Sequence, residues 1–136
     1  MEPIDQLHRA ITLFSRISRV RADLYPGLGF VQYSMVAYVD TVDCAHAADL
    51  AEEFGLDRST VSRQLAELEG DGLMVRGPDP NHPRKQKLEL TLAGHKALAL
   101  ARSAQRSRIK GRLSDWPEQD VADFARLFDR FVNGFS

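Results

Sequence analysis

The stretch Asp57-Arg58-Ser59-Thr60-Val61-Ser62-Arg63-Gln64-Leu65, running on to Leu68, constrains this chain more than any other. At about 100° per helical residue, Val61, Leu65 and Leu68 fall in one narrow sector and face a core. Ser59 and Arg63 lie opposite, flanked by Thr60, Ser62, Ala66 and Glu67. Asp57 is placed to cap this helix by accepting from the amide of Ser59 or Thr60. A shorter helical stretch, Ala47–Phe54, precedes it and ends at Gly55. After Gly70-Asp71-Gly72 come an apolar run (Leu73-Met74-Val75), a Pro-rich loop with basic ends (Arg76 to Lys87) and Leu88-Glu89-Leu90-Thr91. Helix, tight turn, helix, hairpin is the order of a winged helix-turn-helix, whose second helix enters a major groove. The predicted fold is mainly α, with the winged module over residues 45–92.

The helices outside that module are amphipathic. Ile4, Leu7, Ile11, Phe14, Ile17, Val20 and Leu24 recur at three- and four-residue steps, with Leu13 beside them, until Tyr25-Pro26-Gly27-Leu28-Gly29 stops the helix. Phe30 to about Val42 reads as a second helix, with Val31, Met35, Tyr38, Val39 and Val42 as its apolar set. Thr91 is placed to cap a long Ala-rich helix reaching about Arg112. Ser114-Asp115-Trp116-Pro117 opens a last helix, in which Val121, Phe124, Leu127, Phe128, Phe131 and Val132 form one stripe. The module has its own core, so apolar faces at both chain ends are most economically buried against a second copy. Residues 1–29 and 112–136 are therefore expected to dimerise, which also suits palindromic DNA.

The outward face of the central helix is small and hydroxyl-bearing in its first turns, with one long cation, Arg63; Arg58, at the start of the helix, is a further candidate DNA contact. Such a face can sit deep in a groove. Arg63 can give two hydrogen bonds to guanine or clasp a phosphate, and Ser59, Thr60 and Ser62 can bond bases or phosphates. Gly77-Pro78-Asp79-Pro80-Asn81-His82-Pro83 is expected not to continue a strand, because its prolines lack donors and fix φ. It should project as a stiff finger, with Arg84 and Lys85 on its return offered to a minor groove.

Charge gives this reading limited support. Net charge is −1, with 18 Lys/Arg against 19 Asp/Glu, where a basic domain is the usual footprint of DNA binding. Asp57 to Lys87 is nearly balanced, but its bases lie early in the central helix and at the loop ends, with most acids between. Leu90 to Ser114 carries bases and no acid, and Asp115 to Ser136 is acidic, a segregation that solvated helix faces explain equally well. At 136 residues the chain suits one domain with a real core. No apolar run approaches the ~18 residues of a membrane span, and no secretory signal opens the chain. A single cysteine, Cys44, excludes an internal disulfide and fits a reducing cytoplasm.

With these residues in place, the sequence resembles the MarR family of bacterial transcriptional regulators over nearly its whole length. The likeness rests on Asp49-Leu50-Ala51, Asp57-Arg58-Ser59-Thr60-Val61-Ser62-Arg63, Leu68-Glu69, Gly72-Leu73, Arg76, Arg84 and Leu90-Thr91-Leu92-Ala93-Gly94. The resemblance implies a homodimer joined through its terminal helices, with one winged module per half-site. It implies major-groove contacts from Ser59, Thr60, Ser62 and Arg63 and minor-groove insertion of Arg84. Relatives bind small phenolic or lipophilic effectors between the terminal helices and the module, which makes Tyr25, Phe30, Tyr33, Tyr38 and Trp116 candidates for such a cleft. Two positions depart from the pattern. His82 stands where the family commonly has an aspartate that orients the wing cations, with Asp79 as a possible substitute. His46 stands where the helix near Ala47 usually has a Ser or Thr cap.

Other chemistries are weaker. Cys44 sits between Val42 and Ala45 and is expected to be a buried, inert thiol. Cys44-x-His46, with His8, His82 and His95 scattered, has no helix-face or knuckle spacing, so neither a metal site nor a cofactor is expected. No nucleophile elbow, phosphate loop or metal triad supports an enzyme. A winged-helix protein that binds DNA architecturally, or works through protein partners, is the competing class. Release of a discrete palindrome by a small molecule separates a regulator from it.

Overall fold

The computed structural model describes residues 1–20 and 27–135. The chain divides into two compact units, Met1–Ala104 and Gln105–Ser136. In the first, α1 (Pro3–Val20) and α2 (Phe30–Thr41) precede a short strand, β1 (Ala45–His46), and a single 3-10 turn at Ala47–Asp49. Then follow α3 (Leu50–Phe54), α4 (Arg58–Gly70), the hairpin β2 (Met74–Asp79) and β3 (His82–Leu90), and α5 (Leu92–Arg112). The second unit holds the end of α5 and α6 (Glu118–Asn133). No described helix is long and apolar enough to cross a membrane.

The core lies where α2, α3, α4 and the start of α5 meet the sheet. Met35, Leu50, Leu65, Leu68 and Met74 are its largest fully enclosed side chains, and Val61, Leu88, Leu98 and Ala101 close it. The three α4 residues placed inward by periodicity are thus buried. In α2 the inward set is Met35, Val36 and Val39, while Val31, Tyr38 and Val42 pack at the margin. Gly55, in the left-handed region at φ 61°, ends α3 and turns the chain toward α4.

Asp57 caps α4. Its carboxylate accepts from the Thr60 amide at 2.6 Å and from the Ser59 hydroxyl at 2.9 Å. The Thr60 hydroxyl, the Thr60 amide, the Ser59 hydroxyl and the nearby Arg63 cation together hold this carboxyl below its ordinary value.

Thr91 locks the start of α5. Its hydroxyl accepts from the Gly94 amide at 3.0 Å and donates to the Gly72 carbonyl at 2.6 Å, while its own amide donates to the Leu73 carbonyl. The approach is so close that a Cβ on Gly94 would lie 2.0 Å from the Leu73 oxygen. Leu90-Thr91-x-x-Gly94 is therefore a packing device that seats α5 on the turn after α4.

The sheet has the order β1-β3-β2, antiparallel throughout. Its hairpin corrects the expectation that Gly77–Pro83 cannot continue a strand: β2 runs to Asp79 and β3 begins at His82, leaving only Pro80-Asn81 as the turn. The prolines are tolerated because none occupies a position that needs two ladder bonds. Pro78 lies on the edge strand, and Pro80 lies in the turn. Pairing jumps from Pro78↔Gln86 to Asp79↔His82, so Pro83, Arg84 and Lys85 fall in the irregularity between. A further difference is β1, which pairs Ala45 with Leu88 and His46 with Lys87. Two residues are too few to show an alternating pattern.

Two predictions follow from these locks. Gly94→Ala should destabilise the fold by about 3 kcal/mol, because the Leu73 oxygen it would strike belongs to the backbone; urea denaturation reads the loss. The Asp57 cap gives an acid signature. A carboxyl whose folded pKa is depressed adds stability that is present above its unfolded value and lost as pH falls through the folded one. The stability difference between wild type and Asp57→Asn should therefore shrink below about pH 4, in urea midpoints measured across the acid range.

Candidate nucleic-acid interface

Four of the five α4 residues predicted to meet DNA, Arg58, Ser59, Ser62 and Arg63, are exposed along its first two turns. The fifth, Thr60, is half-buried. Ser59 donates to Asp57, which leaves its oxygen free to accept. Neither Arg58 nor Arg63 makes a hydrogen bond or ion pair among the described residues, so both guanidinium groups face solvent. The rear of α4 is anchored at several points. Gln32 of α2 donates to Glu67 at 2.8 Å, and Arg76 of β2 clasps Glu69 through Nε at 3.0 Å and through Nη2. Arg76, one of the family-pattern cations, is thereby a brace between α4 and the wing.

On the wing, Arg84 is exposed and has no partner among the described residues. Lys85 is half-buried and lies 3.5 Å from Asp49 Oδ1. Lys87 pairs with Glu89 on the same strand, which raises its pKa. Among the described residues, Arg84 is thus left unpaired on the wing return, while Lys85 turns toward Asp49 of the 3-10 turn.

Asp79 does not take the place of the family's wing aspartate. It is 5% exposed, accepts from the His46 imidazole at 2.6 Å and from the Asn81 amide at 2.9 Å, and lies 3.4 Å from Cys44 Sγ. The His46 bond, helped by the Asn81 amide, drives its pKa down to about 2. His46, read as a poor helix cap, makes no side-chain cap bond; its ring is buried and reaches across the sheet to the hairpin tip. His82 rests edge-on against it, with ring centroids 5.1 Å apart.

The buried-thiol reading of Cys44 is also corrected. The residue is exposed in the bend before β1, because Ala45 and His46 are the pair drawn into the sheet. Crowding by its neighbours and the hydrogen bond to Asp79 hold the thiol above its ordinary pKa. Such a thiol is a poor redox nucleophile at neutral pH.

Within the first unit the aromatic candidates have different neighbours. Tyr38 packs edge-on against Phe54, 5.6 Å between centroids, and Tyr33 is half-buried at the core margin. Phe30 borders a depression of about 370 Å³ with Gly29, Val31, Gln32, Gln64 and Glu67. In the second unit, Trp116 packs against Phe124. Tyr25 lies outside the described residues.

Comparison with known proteins agrees with this geometry. Residues 27–85 match the sequence model of the MarR family. The chain is 32% identical over 103 residues to the uncharacterized HTH-type transcriptional regulator YxaD of Bacillus subtilis (strain 168), covering 76% of this chain and 72% of that one. Among solved structures, RV1404 from Mycobacterium tuberculosis superposes with a TM-score of 0.78 at 21% identity, covering 98% of this chain and 95% of the other. A mutant MarR from E. coli complexed with operator DNA gives 0.71 at 18% identity, covering 94% of each chain. The chain belongs to the MarR family of transcriptional regulators, which are DNA-binding transcription factors and not enzymes.

Proposed function

We propose that this regulator is a cytoplasmic homodimeric repressor that occupies a palindromic operator and releases it when a small phenolic or lipophilic effector binds. The observation that carries the reading is the two-sided character of α4. Val61, Leu65 and Leu68 hold it from within, while Arg58, Ser62 and Arg63 face outward without partners among the described residues and Ser59, which donates to Asp57, faces outward beside them. A helix fixed so firmly with its polar face free is suited to a major groove, and Arg84 on the hairpin is suited to the adjoining minor groove.

Dimerisation is supported by apolar stripes that each unit leaves uncovered. On α1, Ile4, Leu7, Ile11, Phe14 and Ile17 are all more than 40% exposed. On α6, Phe124, Leu127, Phe128, Phe131 and Val132 are equally open. Helical stability in proteins comes mostly from packing an amphipathic face, and a partner surface would supply that packing for α1. Effector control is supported by the depression at Phe30, since Gln64 and Glu67 of α4 form part of its wall. A ligand seated there would bear on the recognition helix directly.

Arg63→Ala tests the reading. If Arg63 reads a base, affinity for the operator should fall by about 1–3 kcal/mol for each half-site, and preference should relax at one position per half-site. An equal loss on all DNA sequences would reassign Arg63 to phosphate. Unchanged operator binding would refute the major-groove role of α4.

A further inference from the structure

We propose that Cys44, His46 and Asp79 form a binding site for a zinc-class transition-metal ion, with His82 at its rim, where β1 meets the tip of the wing hairpin. The three donors come from two distant segments and converge on one point. Cys44 Sγ lies 3.6 Å from His46 Nε2 and 3.4 Å from Asp79 Oδ2, and the last two atoms are 2.6 Å apart. A tetrahedral zinc site has metal–ligand distances of about 2.3 Å to sulfur and 2.0–2.2 Å to nitrogen or oxygen, which set its ligand–ligand edges near 3.3–3.6 Å. Two of the three edges already match. The third widens by under about 1 Å when an ion replaces the proton shared by His46 and Asp79.

The donor set favours zinc over calcium or magnesium, because sulfur and imidazole are soft or borderline ligands. On binding, the Cys44 S–H bond breaks and an S–metal bond forms, with the proton released to solvent. His46 then ligates through Nε2: the Nε2 proton is lost to solvent and the neutral ring takes one up on Nδ1, which lies 3.6 Å from Asp49 Oδ2. An outer carboxylate facing the distal imidazole nitrogen is the usual support of a metal-bound histidine. The other Asp49 oxygen faces Lys85. The fourth position falls to water or to His82, the ladder partner of Asp79, whose exposed ring stands beside that of His46. An ion held here would cross-link the strand before α3 to the hairpin tip and offset the negative charges of the Cys44 thiolate and the Asp79 carboxylate.

Cobalt(II) titration of the full-length chain under reducing conditions tests the site. One ion per chain should bind, with a near-ultraviolet thiolate-to-cobalt charge-transfer band and strong visible bands of a tetrahedral centre, both bleached by zinc(II). Cys44 is the sole cysteine, so the charge-transfer band can come from no other residue. Cys44→Ser, a change at an exposed position, should abolish that band and weaken zinc binding by more than about tenfold in competition with a chromophoric chelator. Asp79→Asn should weaken it similarly, judged only if circular dichroism shows the fold retained. Absence of a charge-transfer band at one equivalent of cobalt, or zinc affinity unchanged by Cys44→Ser, would overturn the proposal. The cluster would then be a hydrogen-bonded clasp that holds the wing without metal.

Discussion

The outward face of α4 depends on how that helix is seated by Val61, Leu65 and Leu68. These three side chains are at most 5% exposed and enter the core beside Met35, Leu50 and Met74. Because they share one sector of the helix, burying them fixes rotation as well as position, and Arg63 is turned outward as a consequence. Close packing makes that orientation stiff, since the core cannot absorb a rotation without opening voids. Bonds to Glu67 and Glu69 from α2 and β2 hold the far end. Arg58 and Arg63 have no hydrogen-bond or ion-pair partner among the described residues.

The wing is positioned by the same economy. Thr91 and Gly94 draw α5 onto the turn after α4, so the hairpin leaves the core at a fixed place. Arg76 ties its first strand to α4, and the His46–Asp79 bond ties its tip to β1. Arg84 falls in the stretch of β3 between the two ladder registers, where no pairing restrains it. Balanced overall charge is compatible with this arrangement. Several acids of the module are engaged internally: Asp57 in the cap, Glu67 and Glu69 on α4, and Asp79 beneath the hairpin tip.

Local periodicity and capping made most of the helical frame readable from sequence. The inward face of α4 recurs at three- and four-residue steps, and the Asp57 and Thr91 caps each join residues three positions apart. What could not be read depends on pairing across long separations. The strand β1 exists because Ala45 and His46 meet Leu88 and Lys87 about forty positions later. The exposure of Cys44 follows from that pairing, and its apolar sequence neighbours pointed the other way. Pro78 and Pro83 spoke against strands, yet edge placement and a break in register removed the objection. The Cys44-x-His46 spacing was visible, but its third donor, Asp79, lies 33 positions beyond His46 and is supplied only by the folded hairpin.

Two copies of a firmly seated α4 are expected to read a symmetric DNA site. Selection of binding sites from random duplex DNA by the full-length protein, sequenced after several rounds at moderate salt, addresses it most directly. The expected result is a twofold-symmetric consensus whose half-sites are centred about one helical turn apart, roughly 10–10.5 base pairs. Enrichment of no motif, or of a single asymmetric site bound by one chain, would contradict it.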